Sequence, residues 1–64
     1  MLLTVREAAK ALGVHADTAR RWIKAGALPS VHAGRLFVRS SDLAAYTGDP
    51  EERILRLAGK GESA

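Results

Sequence analysis

Four charged side chains recur at helical spacing in the stretch Asp17-Thr18-Ala19-Arg20-Arg21-Trp22-Ile23-Lys24. Successive helical residues advance by about 100°, which puts Asp17, Arg20, Arg21 and Lys24 on one face and Ala19, Trp22 and Ile23 on the other. A guanidinium can donate two parallel N–H bonds to O6 and N7 of guanine, and a carboxylate can accept from cytosine N4. Asp17 and Arg21 stand one turn apart and suit that chemistry. They equally suit a local role, in which an acid in the first turn of a helix pairs with a cation four residues on. A carboxylate turned toward phosphates costs repulsion, so both readings of Asp17 stay open. Arg20 and Lys24 fit phosphates or base edges, and Thr18, at the edge of the face, fits a phosphate. A second basic element lies further on: Arg35 beside Gly34, with Arg39 behind it. A long cation at a turn reaches a minor groove or a flanking phosphate. For each of these cations the plain alternative is a solvated surface charge.

The rest of the chain offers little other chemistry. Its 64 residues make one domain, with a thin core. There is no cysteine, so disulfides and thiolate metal sites are excluded and a reducing cytoplasm is the expected compartment. His15 and His32 are isolated and form no HExxH pattern, and they read as polar residues at the surface or close to DNA. No phosphate-binding glycine loop is present. Catalysis needs a pocket with converging polar groups, and these residues have little to build one from, so neither an enzyme nor a bound metal or cofactor is expected. No apolar run after Met1–Arg6 is long enough for a signal peptide or a membrane span.

The net charge of +3 is unevenly placed. Residues 18–41 hold Arg20, Arg21, Lys24, Arg35 and Arg39 and no acid. Residues 42–64 set Arg53, Arg56 and Lys60 against Asp42, Asp49, Glu51, Glu52 and Glu62. A basic middle beside an acidic end suggests a polyanion-binding face.

These side chains need elements to hold them. Thr4-Val5-Arg6-Glu7 has the form of a capping box and predicts a first helix from Thr4, with Val5, Ala8, Ala9 and Leu12 inward and Gly13 at its end. A second helix is predicted over roughly 16–25, stopped by Gly26 and Leu28-Pro29. Residues 30–39 read as two short strands around Gly34, a hairpin that must lean on the helices. Ser40 or Ser41 is expected to cap a third helix carrying Leu43 and Tyr46, broken by Gly48. Asp49-Pro50-Glu51-Glu52 predicts an N-cap Asp, Pro at the first helical position and Glu at the third, opening a fourth helix over about 50–58 with Ile54, Leu55, Leu57 and Ala58 on one face. Residues 59–64 read as a frayed tail. Trp22, Phe37, Tyr46 and the aliphatic residues must share one compact core. Trp22 is expected to be largely buried against the first and third helices.

The stretch Ala9–Trp22 carries the most information. Two short helices joined at Gly13 must cross closely, which needs a small residue such as Ala9 on the first and apolar residues such as Ala19 and Trp22 on the second. That is the helix-turn-helix arrangement, whose second helix exposes its polar face. Leu3-Thr4-Val5-Arg6-Glu7-Ala8-Ala9, Leu12-Gly13-Val14, Thr18-Ala19-Arg20-Arg21-Trp22-Ile23, Gly26, Leu28-Pro29 and the Gly34-Arg35 turn followed by Ser41-Asp42-Leu43 together resemble the winged helix-turn-helix of phage excisionases and MerR-type regulators, over about residues 2–47. The resemblance implies a mainly α fold with a small β-hairpin, a recognition helix over 16–25 in the major groove, and a wing over 31–38. It implies DNA-contact roles for Asp17, Arg20, Arg21 and Arg35. The sequence departs from the family in two ways: it has no long dimerising helix or effector domain, and His15 stands where a serine-like cap is common.

The leading expectation is therefore sequence-specific binding of double-stranded DNA by a minimal winged helix-turn-helix domain over residues 1–48, followed by a C-terminal helix over 49–58. It would serve as a transcription regulator or an excisionase-type recombination directionality factor, cytoplasmic and nucleoid-associated in a bacterium or phage-infected cell. The candidate DNA contacts are Asp17, Thr18, Arg20, Arg21 and Lys24 on the helix and Arg35 and Arg39 on the wing. Partners are duplex DNA, neighbouring copies of the chain on that DNA, and an integrase or RNA polymerase. The competing reading is a protein-interaction module docking through the amphipathic helix 50–58.

Overall fold

Thr4 closes one element and opens the next. In the computed structural model, which describes residues 1–59, it is the last residue of β1 (Leu2–Thr4) and the N-cap of α1 (Val5–Leu12). The capping box is complete. The Glu7 backbone N–H donates to Thr4 Oγ1 at 3.1 Å, and the Thr4 backbone N–H donates to Glu7 Oε1 at 2.9 Å. Two otherwise orphaned donors are thereby satisfied. The chain continues through α2 (Ala16–Lys24), β2 (Val31–His32), β3 (Leu36–Arg39), α3 (Ser40–Thr47) and α4 (Glu51–Leu57). This is a mostly helical domain with a three-stranded antiparallel sheet in the order β1-β3-β2.

The sheet is larger than the expected hairpin. β3 is its central strand, pairing Val31 and His32 on one side and Leu2, Leu3 and Thr4 on the other. The Ser40 N–H donates to the Met1 carbonyl at 2.8 Å and extends the second pairing. Strand β1 escapes a local reading because three residues are too short to show alternation, and their partner lies far along the chain. Leu3 and its cross-strand neighbour Val38 are both fully buried. The sheet face they share is the one covered by helices.

Apolar side chains gather in two clusters. Leu3, Ala8, Leu28, Val38, Leu43, Ala44, Ile54 and Ala58 form the larger, while Val5, Ala9 and Ala19 form a smaller one between α1 and α2. Ala9 and Ala19 are almost entirely covered, so small residues on both helices permit the close crossing. The expected single core around the aromatics is corrected here. The largest fully buried side chains are aliphatic, Leu3, Leu28, Leu43, Ile54 and Val38. Trp22 is half-buried at the margin of the large cluster, and Tyr46, whose ring centroid lies 6.3 Å from that of Trp22, is exposed. A ring as large as indole finds no complete enclosure in so thin a core.

Both later helix starts differ from expectation. Neither serine caps α3: its N-cap is Arg39, without a side-chain bond, and Ser40 is already helical and wholly buried. The Ser40 hydroxyl instead donates to Glu51 Oε2, tying the starts of α3 and α4 together. Pro50 is the N-cap of α4 rather than its first residue, with extended backbone (ψ 146°), and Asp49 does not cap it. Asp49 pairs with Arg53 at 3.8 Å instead. Helix α4 packs inward through Ile54 and Ala58 with Leu55 half-buried, whereas Leu57 is 39 % exposed, so the buried face is narrower than the spacing predicted. Of the expected tail, residues 60–64 lie outside the described residues.

Candidate nucleic-acid interface

Helix α2 owes its start to a histidine. His15 Nδ1 accepts the backbone N–H of Asp17 at 3.2 Å, the part a serine hydroxyl would take. The ring must present Nδ1 unprotonated to do so. The other end closes just as firmly. The Ala27 N–H donates to the Trp22 carbonyl at 3.0 Å and the Gly26 N–H to that of Ile23 at 3.1 Å, with Gly26 at φ +81°. A left-handed glycine, with one bond returned to the last turn from its own N–H and one from that of the next residue, defines the C-terminus, and Ala25 is the C-cap.

Between these caps α2 turns Ala19 into the α1 contact and leaves Asp17, Arg20, Arg21 and Lys24 exposed, with Thr18 half-buried at the edge. The acid's ion pair is with a different arginine from the one expected: Arg20 donates to Asp17 Oδ1 at 3.2 Å, three residues on, and Asp17 Oδ2 lies 3.8 Å from His15 Nδ1. Arg21 and Lys24 form no ion pair with the described residues. On α4, by contrast, Arg53 and Arg56 are matched to Asp49 and Glu52. The basic middle of the chain thus keeps Arg21 and Lys24 available, whereas both arginines of α4 are matched by acids of their own segment.

The wing is the β2–β3 hairpin. Its turn closes through the Ala33 N–H to the Arg35 carbonyl at 2.9 Å, over Gly34 at φ +80°. Nothing crowds Gly34, so the backbone conformation alone calls for glycine. Just after the turn, Leu36 packs on the α1–α2 cluster and docks the wing against the helices. An open cleft of about 460 Å³ remains between wing and α2, lined by Thr4, Val5, Arg6, Arg20, Arg35 and Leu36.

Two predicted residues, Arg20 and Arg35, therefore meet at one place. Arg39 does not join them. It sits at the far end of β3, paired with Leu2 and leading into α3. Arg6 is the residue that sequence reasoning missed as a candidate contact. Its signal was faint: a cation on the outer face of the first helix, two residues past a strand that could not be recognised. A second groove runs from Arg6 past Lys10 to His15 across the α1–α2 turn. Among the described residues no group of three or more His, Asp or Glu side chains is placed to hold a metal ion. No described helix is long and apolar enough to cross a membrane.

Two helices joined by a tight glycine turn, the second exposing its polar face beside a β-hairpin, define a helix-turn-helix domain with a wing, a DNA-binding class of protein. The chain belongs to a family of helix-turn-helix domains, whose model matches residues 2–48. No curated protein and no solved structure gives a significant match.

Proposed function

We propose that this domain binds duplex DNA sequence-specifically, without catalysis, with α2 in the major groove and the wing at the neighbouring minor groove or backbone. The observation that carries the reading is the exposed face of α2, where Arg21 and Lys24 stand unpaired among the described residues while the apolar side of the helix is committed to packing. Arg21 reads a base, Lys24 and Thr18 meet phosphates, and Arg35 reaches from the wing. Arg39, remote from the wing tip, contributes at most to the surrounding positive field. Asp17 serves the helix start and orients Arg20, which supports a local role over reading cytosine. We assign the domain to transcription regulation or to excisionase-type control of recombination in the cytoplasm of a bacterium or phage-infected cell, with an integrase or RNA polymerase as the protein partner.

Selection of binding sites from random duplexes, followed by Arg21→Ala and Lys24→Ala on the selected site, tests this. Arg21→Ala should cost roughly 1–3 kcal/mol and relax preference at one base pair. Lys24→Ala should weaken all sequences about equally. Loss of affinity in both without any change of preference would reduce α2 to a phosphate clamp. The competing reading, docking through the C-terminal helix, loses its main support. Of the four residues of that face, Ile54 and Ala58 are buried in the domain's own core and Leu55 is half-buried, which leaves Leu57 alone exposed.

A further inference from the structure

Three arginines from three separate elements line the cleft between wing and recognition helix: Arg6 of α1, Arg20 of α2 and Arg35 of the hairpin turn. The other lining residues are Thr4, Val5 and Leu36, none of them acidic. Asp17, outside the cleft, engages one terminal nitrogen of Arg20 and leaves the rest of that guanidinium available. Like charges lining one cleft repel one another, and an anion between them relieves the repulsion. Guanidinium forks match the paired oxygens of a phosphodiester in shape as well as charge.

DNA geometry says which anion passes there. The major and minor grooves are separated by a single sugar–phosphate strand. A protein with one element in each groove must straddle that strand, and in this domain the space between the two elements is this cleft. We propose that Arg6, Arg20 and Arg35 together clamp one backbone phosphate between wing and recognition helix, with Arg6 a DNA contact on the first helix. The clamp rests on the DNA-binding reading above. It divides the labour on α2. On the helical wheel Arg20 and Arg21 fall to opposite sides of Asp17, by about 60° and 40°. Arg20 turns toward the wing and fixes register, leaving Arg21 to read sequence.

The test uses the whole chain and a short fluorescein-labelled duplex of arbitrary sequence, with anisotropy titrations at several salt concentrations. Arg6→Gln, Arg20→Gln, Arg35→Gln and the triple variant are compared with Arg53→Gln on α4, which lines no part of the cleft. Each single cleft variant should weaken low-salt binding about three- to tenfold. The triple variant should lose less than the product of the three, and its salt slope should fall by about one unit, the signature of one phosphate lost. Arg53→Gln should stay close to wild type. All three cleft arginines are solvent-exposed, and circular dichroism melts verify that each variant folds. The clamp is overturned if Arg6→Gln binds as wild type does, or if the losses multiply and the slope falls by about three units, which means three independent phosphates. A folded wild type without salt-sensitive binding to any duplex would instead overturn the DNA-binding reading itself.

Discussion

Individual side chains in this domain divide between holding the candidate interface in place and lining it, and one pair shows how burial sets the cost of losing either partner. Ser40 is wholly buried and its hydroxyl donates to Glu51, a residue with access to water. Removing the carboxylate by Glu51→Ala leaves a buried hydroxyl without its acceptor, at a cost of about 1–3 kcal/mol. Removing the hydroxyl by Ser40→Ala leaves a carboxylate that water can solvate, so the loss should be smaller. Urea melts of the two variants and their double check this ordering, and equal losses would contradict it. Trp22 yields a similar lesson in magnitude. Full burial would make Trp22→Ala cost roughly 3–5 kcal/mol, and its half-buried setting places the expected loss at or below the lower end of that range.

At the scale of elements, the recognition helix depends on its two ends. α2 has only nine residues, too few to persist without packing and caps. Replacing His15 by Ala removes the acceptor for the Asp17 N–H and should cost about 0.5–2 kcal/mol, as other N-cap losses do. Gly26→Ala forces a Cβ into the left-handed region and should cost about 1–2 kcal/mol, although open space surrounds the position. Thermal melts give both values. A Gly26→Ala protein as stable as wild type would show that the helix does not need its left-handed terminus.

For the molecule as a whole, α4 is part of the fold. Ile54 is fully buried in the larger core cluster, where α4 packs on α1 and α3, and Ile54→Ala should cost about 2–5 kcal/mol, with loss of DNA binding only in proportion to unfolding. A single module of this kind buries roughly 600–1,000 Å² of its surface on DNA, a small area for specific regulation. We propose that copies bind side by side, the basic wing of one meeting the acidic C-terminal region of the next, head to tail. Such contacts raise the effective affinity of each succeeding copy without closing a ring. Titration of DNA carrying one, two and three tandem sites should show cooperative filling. Independent filling would remove the proposal, and a stable dimer in sedimentation without DNA would replace it with a two-fold arrangement.

Local signals along the chain determined its helices and much of its candidate interface. The Thr4–Glu7 box, the glycines at 13 and 26 and the alternation of polar and apolar residues on α2 act over a few residues, so they can be read wherever they stand. The exposed face carrying Asp17, Arg20, Arg21 and Lys24 follows from that periodicity alone. Tertiary structure decided what depends on distant partners. Leu2–Thr4 becomes a strand only because β3 offers an open edge, and Ser40 forgoes capping because Glu51 arrives beside it from the next helix. Asp17 chose Arg20 over Arg21, a competition between two neighbours that spacing rules permit equally. The meeting of Arg6, Arg20 and Arg35 belongs to the same class. Each cation is ordinary in its own segment, and only the docking of Leu36 on the α1–α2 pair brings the wing close enough for the three to share one cleft.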